Sequence, residues 1–506
     1  MFPWLTVLAL LPMLGALVLC FVKGDPGRMA GFIFSIATLV LGVYVFIIAF
    51  GGNDLAEQVA WIKPLGAWYA MRADGMAAVM MLLTVIVVPV VLLAEWNVGE
   101  KAANGVPGQK TWSTRTYFAL ALALESLSLF VFLADDVLLF YLMFEATLIP
   151  MYFLIAGWGG PKRTAAAVKF LIFSLAGGLI MLVSIIGLYA VSADAGKASY
   201  LISDLAALDI SGTTGRWLFV GFLIAFAIKA PMVGVHSWLP DTAEQATPGS
   251  STLLVGILDK IGTFGMIKLC LGLFPEASHW ATPFMLIWAL VSIVYGAIMA
   301  IGAKDLLRLV SYTSISHFGF MVLGVFAMTT QSMTGTIFYM LNHGFGTAAL
   351  FLVLGFLISR RGAQTWDAFG GVQKVAPVLA GSLLLAGLAG LGLPGMASFW
   401  GEFMVTSGTW QRYPIHAAIA ILGVVLAAVY ILLMYQRTMT GPVTDQVAEH
   451  VRDDLSGREK LVVAPVIALL LVFGFFPKPM VDVIEPTVKD TMTQIGVTDP
   501  EPKLGR

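Results

Sequence analysis

Apolar segments that are each long enough to cross a lipid bilayer follow one another along almost the whole chain. Hydrophobic residues fill 59% of the 506 positions and charged residues only 12%, whereas a soluble domain carries about twice that charge. A transmembrane helix needs about 20 predominantly apolar residues. The sequence therefore predicts an all-α integral membrane protein with fourteen spanning helices, at residues 3–22, 30–50, 75–95, 116–134, 137–157, 165–192, 216–239, 250–273, 281–303, 306–328, 333–358, 375–398, 414–436 and 460–477.

Lysines and arginines are distributed unevenly among the predicted loops. The odd-numbered loops hold sixteen of them, and the even-numbered loops hold five, which are Lys63, Arg72, Lys197, Arg216 and Arg412. Because cytoplasmic loops carry the excess of positive charge, the odd-numbered loops are predicted to face the cytoplasm. With fourteen spans, both termini then face the outside.

Two of the predicted spans contain residues that interrupt a helix. In the seventh span, Pro231 follows Lys229 by two residues and removes a backbone donor. The segment 375–411 is too long for one ordinary span, and the run from Gly392 to Gly395, with a proline inside it, interrupts this segment. Helices 7 and 12 are therefore predicted to be broken, as the helices that bind ions and substrates in transporters often are.

Lys229 is the residue most out of keeping with its surroundings, since side chains typical of hydrocarbon flank it on both sides. A lysine at mid-membrane depth costs roughly 2.5–3.5 kcal/mol on insertion scales. Such a charge must face the protein interior or water, and it needs a partner. Snorkelling to the membrane interface is disfavoured by the distance of Lys229 from either end of the span. We therefore predict that Lys229 is a functional, titratable amine.

Further polar residues lie near the middle of predicted spans or beside a break. They are Glu145 in the fifth span, Lys229 in the seventh, Lys260 in the eighth, His317 in the tenth, His343 in the eleventh and Glu402 after the break in the twelfth. If all of them lie at one depth, they form a row parallel to the membrane plane. Packing alone does not account for two acids and two amines at that depth.

The histidines and the outer lysines also have plainer interpretations. His317 and His343 are consistent with packed residues that hydrogen-bond between helices, and His236 with a hydrated residue of the broken seventh helix. Lys169 and Lys268 lie near span ends, where a lysine can snorkel. We rank these five residues below the four central charged groups.

Several classes of function are disfavoured by the sequence. The two cysteines, Cys20 and Cys270, lie far apart in apolar spans, so they do not form an Fe–S or CxxC site. No phosphate-binding loop of the Gly-x-x-x-x-Gly-Lys-Ser/Thr type occurs. The net charge of −1 does not suggest nucleic-acid binding. Any energy source is expected to be an ion gradient or a partner subunit.

A faint internal repeat relates two groups of five helices. Asp136 opens the fifth span and Asp305 the tenth, and both are followed by a run of leucine or valine. An odd number of spans per unit inverts the second copy, as in inverted-repeat transporters. The predicted organisation is N-terminal helices 1–3 in 1–115, the first five-helix repeat (helices 4–8) in 116–273, the second (helices 9–13) in 281–437, and a loop, helix 14 and a short tail in 438–506.

Three runs of residues resemble the antiporter-like subunits of respiratory complex I. They extend from Phe144 to Tyr152, from Lys229 to Asp241 and from Leu258 to Gly265. That family shares ancestry with the subunits of multisubunit sodium/proton antiporters of the Mrp type and with membrane-bound hydrogenases. The resemblance covers essentially the whole chain.

Within that family, the resemblance is to the M type. L and N types carry a lysine in the twelfth helix, whereas the M type carries a glutamate, here Glu402. The loop 454–459 also resembles the M-type loop, and the chain is expected to lack the long lateral helix of the L type. One departure is Asp259 beside Lys260, where the family often has an apolar residue. Asp259 either lies on a different face of the helix or biases the charge state of Lys260.

The resemblance implies a proton-translocating membrane-arm subunit of NADH:quinone oxidoreductase, with no redox chemistry in this chain. Glu145 and Lys229 would form an ion pair at one end of the row, Lys260 would be the central relay, and Glu402 the acceptor at the far end. His317 and His343 would carry protons through waters between Lys260 and Glu402, and His236 would be a further relay residue. FMN, Fe–S clusters and quinone are expected in partner subunits, which include L-type and N-type neighbours. The implied location is the bacterial cytoplasmic (inner) membrane, in contact with lipid.

Two other functions are compatible with parts of the sequence. A structural or quinone-holding scaffold accounts for the hydrophobicity but not for the buried acids and amines. A subunit of a multisubunit sodium/proton antiporter belongs to the same family, and carboxylates and the carbonyls of broken helices suit either ion.

Overall fold

The computed structural model describes residues 2–22, 24–51, 55–100 and 111–501, most of which are helical. The α-helices are α1 Trp4–Phe21, α2 Asp25–Phe50, α3 Gly75–Ala94, α4 Thr114–Leu133, α5 Val137–Ala146, α6 Leu148–Ala156, α7 Arg163–Asp194, α8 Ile202–Ala206, α9 Gly212–Lys229, α10 Trp238–Gln245, α11 Pro248–Leu253, α12 Lys260–Gly265, α13 Pro275–Gly302, α14 Leu306–Ala327, α15 Thr330–Arg361, α16 Pro377–Gly390, α17 Ala397–Arg412, α18 Pro414–Met439, α19 Asp445–His450, α20 Gly457–Phe475 and α21 Lys478–Gln494. The end of the predicted tail, 502–506, lies outside the described residues.

The predicted membrane class is confirmed by the length and composition of the helices. Among the described residues, ten helices are long and apolar enough to cross a membrane, or eleven if α20 and α21 count as one span bent by 72°. This number is smaller than the predicted fourteen because the predicted spans 216–239, 250–273 and 375–398 are divided into shorter helices.

Both predicted helix breaks are present, and the residues that cause them are those identified in the sequence. α9 ends at Lys229, and the chain is not helical again until α10 begins at Trp238. The indole of Trp238 donates to the carbonyl of Ile228 at 3.2 Å, which stabilises the open end of α9. Between α16 and α17, Gly392 and Gly395 adopt φ values of +69° and +93°, which other residues rarely adopt.

The eighth predicted span is less regular than the sequence suggests. Its helices α11 and α12 are joined by π-helical turns at Leu254–Leu258, and a second π-helical segment, Met266–Leu271, follows α12. The amide of Asp259 accordingly donates to the carbonyl of Leu254, five residues earlier, at 3.0 Å. π-Turns are frequently found at functional sites, and these turns flank Lys260.

A β-hairpin and a C-terminal helix are the largest elements that were not predicted. An antiparallel hairpin of β1 Ala56–Ile62 and β2 Ala67–Arg72 lies between α2 and α3. The residues after 477, which we expected to be a short tail, form α21, whose apolar side is buried at every fourth residue: Met480, Ile484, Val488 and Met492. Thr487 accepts a hydrogen bond from the amide of Gly75 at 2.8 Å, and Gln494 donates to the carbonyl of Gly272 at 2.7 Å. α21 therefore ties the C-terminal part of the chain to its first half.

The start of α20 is held by a buried ion pair that we expect to support the fold. Both guanidinium nitrogens of Arg360 bind the Glu459 carboxylate, at 2.9 and 2.6 Å, and the side chains are only 15% and 8% exposed. Because removal of one partner leaves a buried charge unpaired, Glu459→Ala should destabilise the protein by about 3–5 kcal/mol. A thermal-unfolding measurement on the purified protein within its complex checks this.

An exposed pair on α21 provides the matched control. Lys478 and Asp482 are 79% and 53% exposed at a separation of 2.7 Å, and such pairs contribute about 0–1 kcal/mol. Asp482→Ala should therefore shift the unfolding midpoint much less than Glu459→Ala. Equal shifts would contradict a specific role for the buried pair.

Candidate functional site

The first part of the site lies where α5 and α9 both end. Lys229 is fully buried, and its Nζ lies 5.3 and 5.2 Å from the ring centroids of Phe144 and Phe170. Nζ of Lys229 and Oε1 of Glu145 are both buried without a hydrogen-bond partner among the described residues. The direct ion pair inferred from the family resemblance is thus not closed in this structure.

Gly178 of α7 makes room for the Glu145 carboxylate. A Cβ atom at position 178 would overlap Oε1 of Glu145 and lie only 2.6 Å from its carboxyl carbon. α7 also packs along α9, with Gly177 against the backbone of Ala225. Adjacent glycines therefore allow α7 to approach both the acid on α5 and the helix that carries Lys229.

Lys260 is fully buried and contacts the second half of the chain. Its Nζ donates to the carbonyl of Val255 at 2.8 Å and lies 2.7 Å from Nδ1 of His343 on α15. The ring of Phe318, on α14, has its centroid 4.7 Å from the same nitrogen. This contact joins two residues that are 83 positions apart in the sequence.

Aromatic and imidazole rings continue from Lys260 into the second half. The rings of His343 and His317 meet edge to face with centroids 5.1 Å apart. Nε2 of His317 lies 3.4 Å from the hydroxyl of Tyr430. Tyr339, one helical turn before His343, has its ring centroid 5.8 Å from that of His317. All four side chains are buried.

Glu402 terminates this group of side chains. It is 5% exposed, and its Oε1 accepts a hydrogen bond from the hydroxyl of Tyr339 at 2.7 Å. Its carboxylate packs against Gly392, where a Cβ atom would overlap it. The break between α16 and α17 therefore leaves space for the acid. Asn342 fixes the start of α17 by donating to the carbonyl of Ala397 at 3.0 Å.

Among the described residues, no hydrogen bond joins His236 or Glu125 to the group of side chains between Lys260 and Glu402. Nδ1 of His236 accepts from the amide of Gly234 at 3.2 Å, within the link between α9 and α10, and its ring faces Tyr295 at 5.1 Å. Glu125 of α4 is 1% exposed, and neither of its carboxylate oxygens has a hydrogen-bond partner among the described residues. Glu125 is thus a buried acid that lies outside this group.

The two lower-ranked lysines take part in ion pairs. Nζ of Lys169 lies 2.6 Å from Asp241, and its side chain is 35% exposed. Nζ of Lys268 lies 3.6 Å from Asp74 and 4.0 Å from Asp135. Lys169 therefore reaches the surface while paired with an acid, whereas Lys268, whose side chain is 8% exposed, does not snorkel to the surface.

The sequence analysis missed two tyrosines of the site. Tyr339 bonds to Glu402, and Tyr430 contacts His317. Tyr339 precedes His343 by four residues on one helix, a spacing that puts both on one face, so its position was available in the sequence. Neither tyrosine was considered because the search was for charged and imidazole side chains in apolar spans.

Comparisons with known proteins show the family to which the chain belongs. The model of the NADH:quinone oxidoreductase/Mrp antiporter transmembrane family matches residues 134–428. The NADH-quinone oxidoreductase subunit M of Mycobacterium tuberculosis is 45% identical, over 99% of this chain and 96% of that protein. A chain of respiratory complex I from Thermus thermophilus, solved with bound NADH, superimposes with a TM-score of 0.87 at 30% identity, over 97% of this chain and 100% of that one.

A chain of the Mrp complex from Dietzia sp. DQ12-45-1b has the same fold. Its TM-score is 0.82 at 18% identity, over 97% of this chain and 99% of that one. The identity to the M subunit is 45% over 99% of this chain, whereas the identity to the Mrp chain is only 18%. Sequence identity therefore distinguishes the complex I subunits from the Mrp subunits, which share the fold. The chain belongs to the NADH:quinone oxidoreductase/Mrp antiporter family, and within it to the M subunits of NADH-quinone oxidoreductase.

Proposed function

We propose that this M subunit translocates protons along the row from Glu145 through Lys229 and Lys260 to Glu402, driven by electron transfer in other subunits of the NADH:quinone oxidoreductase. The observation that carries the proposal is the unbroken series of buried contacts from Lys260 through His343, His317 and Tyr339 to Glu402. Buried ionisable side chains in membrane helices are costly and typically mark ion pathways.

The proposed switch is the pair Glu145 and Lys229. Burial favours the neutral amine, whereas a nearby carboxylate favours the charged one. When the pair closes, Lys229 is loaded with a proton; when it opens, as in this structure, the proton becomes easier to release toward Lys260. A charge change at this end of one subunit can therefore bias the next subunit.

The broken helices supply the polar surroundings that the row requires. Freed backbone groups are tolerated at membrane depth only where they are buried in protein or line a hydrated cavity. Lys229 is the last residue of α9, and Glu402 packs against Gly392 at the break before α17. We propose that water reaches both ends of the row at these breaks.

We further propose fourteen membrane crossings in total. The fourth to eighth predicted spans, in 116–273, and the ninth to thirteenth, in 281–437, would form two inverted five-helix repeats. Corresponding acids support the repeat: Asp136 caps α5 and pairs with Leu201 in a single β-bridge, and Asp305 caps α14 and pairs with Thr365 in the same way. The two broken helices occupy corresponding positions in the repeats. This arrangement would put the row at the interface between them and both termini on the outer side of the inner membrane.

The chemistry in this chain is limited to proton transfer. FMN, Fe–S clusters and quinone are assigned to other subunits of the complex, and L-type and N-type subunits are the proposed membrane-arm neighbours. Sodium transport by an Mrp-type complex is the second candidate, favoured by the shared fold alone. The two candidates differ in whether transport by the purified complex depends on sodium.

Glu402 provides the test of the proposed function. In the purified complex reconstituted into vesicles, Glu402→Gln should lower proton translocation by about tenfold, because an amide cannot exchange a proton at neutral pH. Glu402→Lys should retain part of the activity, because L-type and N-type relatives carry a lysine there. Proton uptake is measured with a pH-sensitive dye, in parallel with NADH oxidation.

Glu449→Gln is the matched control, because Glu449 is an exposed acid on α19. This variant should translocate protons at the normal rate. A Glu402→Gln complex that assembles and translocates normally would contradict the proposed path.

A further inference from the structure

Asp259 is a buried acid that the proposed row does not use. It lies between the π-helical turns Leu254–Leu258 and α12, directly before Lys260. Its side chain is 0% exposed, and neither carboxylate oxygen has a hydrogen-bond partner among the described residues. Leaving an ionised carboxylate buried without donors is costly, so the residue requires an explanation.

The packing of α12 determines which way Asp259 faces. A Cβ atom at Gly262 would lie 2.5 Å from the amide nitrogen of Ala230, the residue after Lys229, and 2.6 Å from the carbonyl of Phe226. The position of Gly265 likewise abuts the Phe226 ring. Residues three apart share one face of a helix. Asp259, three residues before Gly262, therefore lies on the face of α12 that packs against the end of α9.

The next residue faces the other half of the protein. Consecutive residues are about 100° apart around a helix, and Nζ of Lys260 contacts His343 and the ring of Phe318. Asp259 and Lys260 are therefore on different faces. Asp259 therefore lies between the end of α9, where Lys229 is the last residue, and Lys260, the first residue of α12.

We infer that Asp259 is a further proton-carrying residue, which accepts a proton from Lys229 and delivers it to Lys260. This inference rests on the proposed function and adds a carrier to the same row. In the first step, the N–H bond of the Lys229 ammonium breaks, and an O–H bond forms on Asp259, leaving a neutral amine and a neutral acid. In the second step, the proton leaves Asp259 for the neutral amine of Lys260, which restores the carboxylate.

Proton transfer accounts for features that a fixed counter-charge does not. A permanently ionised carboxylate at complete burial would need several hydrogen-bond donors, and Asp259 has none among the described residues. Neutralising Lys229 and Asp259 together removes two charges from a low-dielectric region in one step. Asp259 would then pass the proton from Lys229, the partner of Glu145, to Lys260.

The test uses Asp259→Asn, Asp259→Leu and Asp259→Glu in the complete complex, reconstituted into vesicles. Asparagine and leucine should each lower proton translocation by at least about tenfold, because neither side chain can carry a proton. Glutamate should restore most of the activity. Thr263→Val is the control, because Thr263 lies one turn further on α12 and its hydroxyl donates to the carbonyl of Lys260, within the same helix, at 3.2 Å.

An infrared measurement distinguishes a carrier from a counter-charge. If Asp259 takes up the proton, NADH-driven turnover should produce the carbonyl band of a protonated carboxyl group, which shifts in Asp259→Glu and is lost in Asp259→Asn. Normal translocation by Asp259→Leu, or a band unaffected by both substitutions, would overturn the inference. If Glu402→Gln is blocked while Asp259→Leu is normal, only the role of Asp259 fails; if both variants are normal, the proposed function fails as well.

Discussion

Lys229→Met is expected to abolish proton translocation and to slow NADH-driven quinone reduction by about tenfold or more. Methionine fills a similar volume without a charge, so the packing against Phe144 and Phe170 is largely kept. Glu145, whose Oε1 atom is buried, then has no amine to pair with, and an uncompensated buried charge is strongly unfavourable. Because electron transfer is coupled to translocation, both rates should fall together.

The measurement is proton translocation and NADH oxidation by the same vesicle preparation, with assembly checked by native electrophoresis. Lys169→Met is the matched control, since Lys169 pairs with Asp241 at the surface and is 35% exposed. An exposed pair contributes little, so this variant should retain both activities. A fully assembled Lys229→Met complex with an unchanged ratio of protons to electrons would rule out a role for the amine.

The broken helices could be predicted because proline and glycine are recognisable helix-breaking residues in the sequence. Pro231 ends α9 near Lys229, and Gly392 and Gly395 require positive φ values at the second break. The π-helical turns around Lys260 carry no comparable mark. Apart from Gly256 and Lys268, the residues of these turns are ordinary apolar ones, so the pattern of apolar residues predicts one regular helix for this segment.

The members of the site could be predicted individually, but most of their contacts could not. A charged side chain in an apolar span is conspicuous because burying a charge in the membrane is energetically costly. Glu145, Lys229, Lys260 and Glu402 were predicted on this basis. Whether an ion pair is open or closed depends on a few ångströms of tertiary structure. The direction of Asp259 depended similarly on which face of α12 packs against α9.

The unpredicted helix α21 escaped notice for a different reason. Its apolar residues recur at every fourth position between charged ones, so the segment is too polar to resemble a span. In the structure, this apolar stripe packs against α3 and α15, and that contact is not visible in the local sequence. The hairpin β1–β2 likewise depends on contacts with distant residues. The amide of Trp68, for example, donates to the Asp136 carboxylate at 2.9 Å.

Two substitutions of Lys260 separate the need for a positive charge from the need for a mobile proton. Lys260→Met removes both and should block translocation, since His343 loses its contact at 2.7 Å and the row is interrupted at its centre. Lys260→Arg keeps the charge, but a guanidinium does not release its proton in proteins. We therefore expect the arginine variant to be blocked almost as completely as the methionine variant.

The arginine variant is informative because the charge next to Asp259 is retained. If Lys260 acted only as a fixed charge that orders its neighbours, arginine would support translocation at a rate close to normal. If Lys260 exchanges a proton in every cycle, arginine should lower the rate by about two orders of magnitude, within the range for removing a positioned proton-transfer group. Native electrophoresis establishes that both variants assemble, and proton uptake per electron decides between the two roles. A rapidly translocating arginine variant would exclude Lys260 as a carrier and leave it as an electrostatic element of the row.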